Sequence, residues 1–211
     1  MPRGSEELTN ARRDEIITAC AALYETMGFR DITIRDIGEK TSFTRTSIYN
    51  YFQTKEEIFL ALFQREYERW REDLDAVRRD HDTLTAAGFA DQLARTLERR
   101  TRMLKLMSMN LYDMEGNSRM ENLVDFKRAY RDALAAVEQC LEKFFPAMGP
   151  RDRKEFLYAL FPFLFGVYPY TQATEKQKAA MEAVGFDYPR YTIYDITEPL
   201  AEKLLRPFQA G

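Results

Sequence analysis

The chain has 211 residues, which is enough for one large domain or two small ones around a sizeable hydrophobic core. Its composition, with 45% hydrophobic and 31% charged residues, is typical of a soluble globular protein. The formal net charge of −3 argues against a protein that coats nucleic acid without sequence preference, whereas a site-specific DNA-binding protein needs only a local cationic face.

The sequence favours a cytoplasmic protein that contacts no membrane. No signal peptide is expected, because the N-terminal region is charged and lacks an apolar core segment. The most apolar stretch, Phe156 to Tyr168, is short and interrupted by Pro162, so it is not expected to span a bilayer. Cys20 and Cys140 lie far apart within apolar helical patterns, which predicts two buried free thiols.

The first helix is predicted from Thr9 to Met27, after a start that carries no pattern and is expected to be a loose tail. Apolar residues recur on one side of this segment at helical spacing, namely Ile16, Cys20, Leu23, Tyr24 and Met27. Gly28 follows as a C-cap, and the next ring, Phe29, can fold back onto the last turn.

The stretch from Thr33 to Lys55 predicts two short helices joined by a tight turn. Thr33 occupies an N-cap position at the start of the first helix. The second is predicted to run from Arg45 to Phe52, with Ile48 and Phe52 facing a core. Its remaining side chains supply a cation, hydroxyls, an amide and rings that suit phosphates and base edges in the major groove: Arg45, Thr46, Ser47, Tyr49, Asn50 and Tyr51. This arrangement is a helix-turn-helix, although a simple corner between short helices is the structural alternative.

A long helix is predicted from Thr54 to about Arg79, with a capping box formed by Thr54 and Glu57. Its apolar side is made of Phe59, Phe63, Tyr67, Trp70, Leu74 and Val77. The Asp80-His81-Asp82 sequence that follows is not expected to bind metal, because adjacent loop residues do not easily converge on one ion.

The rest of the chain predicts further helices and no strand, giving about nine or ten helices in an all-α protein. We expect helices over Thr85–Asn110, about Leu123–Phe144, Asp152–Tyr168 with a bend at Pro162, Glu175–Val184, and a last one marked by Ile196, Leu200, Leu204 and Phe208. Gly116-Asn117-Ser118 predicts a turn. Gly185 is expected to end the short helix predicted over Glu175–Val184. Thr192 and Asp195 offer a capping box, whereas Pro199 is expected in a first turn.

The motif Thr44-Arg45-Thr46-Ser47-Ile48-Tyr49, with Tyr51-Phe52-Gln53-Thr54-Lys55-Glu56-Glu57, resembles the DNA-binding domain of tetracycline-repressor (TetR) type regulators. The resemblance implies a three-helix DNA-binding domain over residues 1–53, and a larger helical ligand-binding and dimerisation domain over residues 54–211. It also implies phosphate contacts by Thr33, Thr44, Tyr49, Tyr51 and Lys55, and base contacts by Arg45, Thr46, Ser47 and Asn50. Two positions depart from the family pattern. Ser42 stands where the turn usually carries glycine, so a left-handed backbone is expected there, and Thr46 stands where a small residue is common.

The second half is rich in aromatic and methionine residues, whose simplest role is to fill a core. The resemblance implies instead that some of them line a pocket for a small apolar or aromatic effector: Met103, Met107, Tyr112, Phe126, Tyr130, Tyr158, Phe161 and Phe165. It further implies a homodimer built from the segments around Asp152–Tyr168 and Ile196–Phe208.

An enzyme is not expected, because the chain lacks a phosphate-binding loop, paired-cysteine metal spacing and a nucleophile elbow. No cofactor is predicted. The sequence therefore favours a ligand-responsive repressor that binds a palindromic double-stranded DNA operator as a homodimer. The alternative is a helix-turn-helix regulator that is controlled by a protein partner and has no small-molecule effector.

Overall fold

The computed structural model describes residues 3–109, 111–186 and 190–208, with the side chains of residues 3–6 and 45 left out. Over these residues the fold is all-α, with eleven helices and no strand. The helices are α1 (Arg3–Thr26), α2 (Ile34–Glu39), α3 (Arg45–Ile48), α4 (Lys55–Asp80), α5 (Ala86–Arg99), α6 (Thr101–Met107), α7 (Leu111–Gly116), α8 (Met120–Phe144), α9 (Pro150–Thr171), α10 (Glu175–Ala183) and α11 (Ile193–Leu205). A 3₁₀ turn, Arg206–Phe208, follows α11. Among the described helices, none combines the length and apolar character that a membrane span requires.

Local capping chemistry explains where several helices begin and end. Thr33, Thr174 and Thr192 each begin a helix with a capping box. In each, the threonine side chain accepts from the backbone amide of the third helical residue, and the side chain of that residue accepts from the threonine backbone amide. Gly185 ends α10 with φ +68°, a left-handed conformation that favours glycine. The capping box predicted at Thr192 is therefore confirmed, as is the end predicted at Gly185.

Several helix limits differ from the prediction. Helix α1 begins at Arg3, so the part of the expected loose tail that the structure describes is helical. The predicted helix from Thr85 is divided, because the backbone departs from helical geometry at Arg100 (φ −104°, ψ 36°), whose Nε donates to Asp73 Oδ2 at 2.6 Å. Helix α9 continues through Pro162 and Pro169 to Thr171, and Pro199 lies within α11 and not in its first turn.

The chain forms two compact units. The first contains residues 1–66 and 110–130, and the second contains residues 67–109 and 131–211. Helices α4 and α8 each contribute residues to both units. The domain boundary predicted at residue 53 stays a prediction about domain organisation.

In the first unit, the core is a cluster of aromatic rings on helices α1, α4 and α8 and on the segment after α1. Phe59 meets the rings of Tyr24 and Phe29 edge-on at 5.2 and 4.8 Å between centroids, and Phe63 lies 5.1 Å from Phe126. Cys20 is fully buried as a free thiol in this unit, as predicted.

In the second unit, Trp70 is fully buried, 5.8 Å from the ring of Phe161, and its Nε1 donates to Thr96 Oγ1 at 3.0 Å. Helix α11 packs mainly against α5, and also against α9. Cys140 is a buried free thiol here, as predicted, and burial raises its pKa to about 12. The predicted apolar side of α4 is confirmed in both units, since its members from Phe59 to Val77 are all buried.

Candidate nucleic-acid interface

Helices α2 and α3 form the predicted helix-turn-helix within the first unit. Ile37, Ile48 and Phe52 are fully buried beneath it. Thr44, Thr46, Tyr49 and Asn50 are exposed on the other side. The two apolar residues four apart thus anchor the α3 segment, and its polar groups remain on the surface, as the spacing predicts.

Helix α3 is shorter than predicted, because regular helix ends at Ile48 and the chain continues as a turn to Tyr51. Turn hydrogen bonds join Asn50 N to Ser47 O at 3.2 Å, and join both Tyr51 N and Phe52 N to Ile48 O at 2.8 and 3.0 Å. These bonds fix the backbone that carries the exposed groups even though the helix has ended.

The left-handed backbone expected at Ser42 is not found: no described non-glycine residue has a positive φ, so this prediction is wrong. The turn is instead held by a carboxylate on α1. Ser42 N donates to Glu15 Oε1, and Ser42 Oγ donates to Glu15 Oε2 at 3.1 Å. A charged acceptor therefore fixes the turn without a special glycine conformation. The sequence pattern does not reveal the role of Glu15, because Glu15 and Ser42 are 27 positions apart.

Several predicted DNA-contacting residues have hydrogen-bond partners within the protein. Thr33 is bound to Asp36, whose carboxylate accepts from Thr33 Oγ1 at 2.7 Å and from Thr33 N at 2.8 Å, and these bonds lower the pKa of Asp36. Thr44 Oγ1 and Ser47 Oγ lie 3.1 Å apart. Lys55 Nζ donates to the carbonyl of Phe29 at 2.7 Å, at the start of α4. The side chain of Arg45 lies outside the described residues.

Two arginines of α1 extend the polar surface around the α3 turn. Arg12 Nη1 donates to the hydroxyl of Tyr51 at 3.2 Å, and its guanidinium lies 5.9 Å from the Phe43 ring. Arg13 lies over the ring of Phe52 at 4.5 Å and donates to the Tyr51 carbonyl at 3.3 Å. Tyr51 therefore has both its hydroxyl and its carbonyl held by cations, which sequence spacing alone does not reveal.

A buried ion pair joins the start of α4 to the turn before α8. Glu57 is fully buried, and its Oε1 accepts from Arg119 Nε at 2.7 Å and from Arg119 N at 3.0 Å. Its Oε2 accepts from Arg119 Nη2 at 3.0 Å and from Gln53 N at 2.7 Å. Thr54 Oγ1 accepts from Glu57 N at 3.2 Å, so half of the predicted capping box is present, while the Glu57 carboxylate binds Gln53 instead of the cap amide.

The hydrogen bonds decide the charge of Glu57. Burial alone would raise the pKa of its carboxyl, but the bonds from Arg119 and Gln53 outweigh this effect and lower the pKa to about 2. The Glu57 carboxylate raises the pKa of Arg119 in turn. Both groups are therefore charged at neutral pH.

The predicted effector residues are divided between the two units. Met103, Met107 and Phe161 are buried and Phe165 is half-buried in the second unit, whereas Phe126 and Tyr130 belong to the first. Two of the eight lie on the surface and are not enclosed in the interior of their units: Tyr112 is 90% exposed and Tyr158 is 77% exposed.

Two clefts in the second unit offer space for a small molecule. One, of about 460 Å³, lies where α9 ends and α11 begins, and Tyr170, Lys178, Arg190 and Tyr191 are among its lining residues. The other, of about 470 Å³, is lined by Leu84, Phe144, Phe145, Pro207 and their neighbours. Neither contains a predicted effector residue. No cluster of metal-ligating side chains occurs within the described part of the chain.

Two family models match the chain, one over its N-terminal part and one over the rest. Residues 16–62 match the model for bacterial regulatory proteins of the tetR family, and residues 64–206 match the tetracyclin repressor-like C-terminal domain. An HTH-type transcriptional repressor of Mycobacterium tuberculosis is 32% identical over 103 residues, which is 46% of this chain and 54% of that protein. The chain spans about half the length of the curated relatives that it matches.

Solved structures share the fold at low sequence identity. A TetR/AcrR family regulator from Thermobifida fusca superposes with a TM-score of 0.62 at 16% identity, over 95% of this chain and all of that one. FadR from Bacillus subtilis, solved in complex with stearoyl-CoA, gives a TM-score of 0.55 at 15% identity, covering 93% and 97% of the two chains. Because the C-terminal match alone covers more than half of the sequence, the chain belongs to the TetR family, whose members are DNA-binding transcriptional regulators and not enzymes.

Proposed function

We propose that this protein is a cytoplasmic transcriptional repressor that binds a palindromic operator as a homodimer and releases it when a small apolar or aromatic effector binds. The outward side of the α3 turn carries the proposal. Thr46, Tyr49 and Asn50 are exposed there, while Ile48 and Phe52 hold the segment to the core. A hydroxyl, a ring and an amide on one anchored surface are the groups that contact phosphates and base edges.

We assign the DNA contacts by position in the motif. Phosphates are contacted by Thr33, Thr44, Tyr49, Tyr51 and Lys55, and bases by Arg45, Thr46, Ser47 and Asn50. For Lys55, the assignment is supported by its position at the N-terminus of α4, where the helix dipole attracts phosphate and the ammonium adds a positive charge.

A homodimer is supported by two apolar surfaces that the described residues of one protomer leave incompletely covered. On α9, Tyr158, Pro162 and Pro169 are exposed along one side. On α11, the stripe of Ile196, Leu200 and Leu204 is only half-buried, although it is the most apolar side of that helix. A second copy that packs on these stripes would remove them from water and would double the number of base contacts on a palindrome.

The effector is proposed from the composition of the second unit and from the fold. Buried Met103, Met107 and Phe161 provide an apolar and aromatic environment. FadR from Bacillus subtilis, which shares the fold, was solved in complex with stearoyl-CoA, a molecule with a long apolar chain. The effector acts through α4, one continuous helix from Lys55 to Asp80, by favouring one spacing of the two DNA-binding helices over another.

Sequence-selective binding is tested with the DNA upstream of the protein's own coding region. A salt-dependent shift of this DNA, but not of a random duplex, is expected in a titration by fluorescence anisotropy. Absence of a selective shift would count against the repressor. Arg45→Ala is expected to weaken operator binding by ~1–3 kcal/mol if the guanidinium pairs with a guanine edge. Arg79→Ala removes an exposed cation in the second unit and is the matched control.

The oligomeric state is tested by sedimentation equilibrium. The wild type is expected to be a dimer, and Leu200→Glu is expected to give monomers, because the substitution places a charge in the proposed interface. Tyr112→Glu, at an exposed ring of the first unit, is expected to remain a dimer. A monomeric wild type, or a dimeric Leu200→Glu variant, would contradict this interface.

A further inference from the structure

The turn before α8 contains hydrogen bonds of its own. Asn117 N and Nδ2 both donate to the carbonyl of Asp113, at 3.2 and 2.8 Å, and Ser118 Oγ donates to the carbonyl of Met114 at 2.7 Å. These bonds position the backbone next to Arg119 and do not depend on the contacts of the Arg119 side chain.

From this turn, Arg119 reaches the end of the α3 turn and the start of α4. Its Nη2 donates to the carbonyl of Tyr51 at 3.1 Å, across 68 residues of sequence. Its Nε and Nη2 bind the two carboxylate oxygens of Glu57 at 2.7 and 3.0 Å. The remaining nitrogen, Nη1, lies 2.9 Å from Glu121, so every nitrogen of the guanidinium has a defined partner.

A second bond ties the same turn to the start of α4. Thr54 Oγ1 donates to the carbonyl of Asn117 at 3.0 Å, in addition to capping the α4 backbone. Tyr51 and Thr54 bracket the short connection between the α3 turn and α4. The turn before α8 therefore contacts both ends of the connection through which the DNA-contacting residues join the long helix.

We propose that Arg119 is a positioning residue for DNA recognition, which fixes the end of the α3 turn through the Tyr51 carbonyl and the start of α4 through Glu57. This inference rests on the proposed function of the helix-turn-helix. A planar guanidinium can satisfy a carboxylate and a carbonyl at the same time in fixed directions, whereas a lysine ammonium is a point charge on a flexible stem.

The inference distinguishes selective from non-selective binding. Base-edge contacts need the exposed side chains of the α3 turn in defined positions, whereas phosphate contacts with random DNA depend mainly on charge. Loss of the Arg119 contacts at constant charge should therefore weaken operator binding far more than it weakens random DNA binding.

The test compares Arg119→Lys with Arg128→Lys, which changes an exposed arginine of α8 that pairs with Asp125 three residues before it. The ratio of operator to random-duplex affinity is expected to fall tenfold or more for Arg119→Lys, and to change less than twofold for Arg128→Lys. An unchanged ratio for Arg119→Lys, or a parallel loss of both affinities, would overturn the inference. If the wild type itself shows no selectivity, the proposed function fails instead.

Amide hydrogen exchange in the free protein separates positioning from general destabilisation. Arg119→Lys is expected to speed exchange at Tyr51 and Phe52, and to leave Ile37 of α2 unchanged, well below the unfolding temperature. Uniform acceleration at all three amides would assign Arg119 a purely structural role.

If Arg119→Lys does not fold, two other variants are compared. Thr54→Ala removes the bond to Asn117 and the cap of α4, and its control, Thr192→Ala, removes a comparable cap from α11. Thr54→Ala is then expected to lower the selectivity ratio about threefold, and Thr192→Ala to leave it unchanged. Equal ratios in the two folded variants would overturn the inference.

Discussion

The buried carboxylate of Glu57 should make the stability of the protein depend on pH in acid. Hydrogen bonds from Arg119 and Gln53 outweigh the effect of burial and lower the pKa of Glu57 from its ordinary value of 4.5 to about 2. Because the pKa is lower in the folded state, this group stabilises the protein fully above its unfolded-state pKa. The contribution is lost as pH falls from about 4.5 towards 2.

The expected magnitude follows from the size of the pKa shift. One unit of pKa difference corresponds to ~1.4 kcal/mol, so the pH-dependent contribution of Glu57 is about 3 kcal/mol. Glu57→Gln removes the charge and places an amide group against the donors of Arg119. The free energy of unfolding of the variant should therefore be lower than that of the wild type at pH 7, and the difference should shrink by about 3 kcal/mol on going to pH 2.

Urea unfolding, followed by circular dichroism at a series of pH values, measures this difference directly. Glu39→Gln is the control within the same unit, because Glu39 pairs with Arg35 on the surface, and an exposed pair contributes little. If the difference between the wild type and Glu57→Gln stays constant within about 1 kcal/mol from pH 7 to pH 3, the assignment of Glu57 as a stabilising buried carboxylate is refuted.

Three further predictions concern single contacts. Thr96→Val leaves Trp70 Nε1 buried without an acceptor and should lower the free energy of unfolding by ~1–3 kcal/mol in urea titrations, with a changed emission of the single tryptophan. The Cβ that Gly185→Ala adds would meet no atom within 4 Å, but alanine is strained at φ +68°. Hydrogen exchange of the amide of residue 185, at the end of α10, should therefore accelerate about fivefold. Thr192→Ala should lower the free energy of unfolding by ~1 kcal/mol in thermal denaturation, whereas Thr174→Ala, with the same cap on a helix without buried residues, should change global stability less.

Features that depend on neighbouring residues were predicted well from the sequence. The caps at Thr33 and Thr192 and the helix end at Gly185 rest on contacts within a few residues, so the sequence pattern contains both partners. The buried side of α4 was predicted for a similar reason, because one helix carries the whole repeat. The irregular backbone at Arg100 was missed, since the apolar pattern continues across it.

Helix α11 shows where periodicity identifies a helix but not the side that one protomer buries. The most apolar stripe includes Ile196 and Leu200, yet these residues are only half-buried. The adjacent side, with Thr197 and Ala201, is fully buried in the second unit, where α11 packs mainly against α5. Ile193 and Leu205 are buried at the two ends of the same side, and the smaller Thr197 and Ala201 between them allow the helices to approach closely. The half-buried apolar stripe is the surface on which we propose that a second copy of the chain packs.

The helix-turn-helix itself shows why a motif does not determine its own geometry. Its sequence predicts which side chains face outward, but its turn is held by Glu15 and the end of the α3 turn is held by Arg119, which lie outside the motif. Both partners are charged groups: Glu15 accepts from the backbone amide of Ser42 before α3, and Arg119 donates to the carbonyl of Tyr51 after regular helix has ended at Ile48. Such contacts join residues 27 and 68 positions apart, and no periodic pattern records them. Relatives with the same exposed residues but a different residue at the position of Arg119 should therefore hold the α3 turn differently, and identical motifs need not select identical operators.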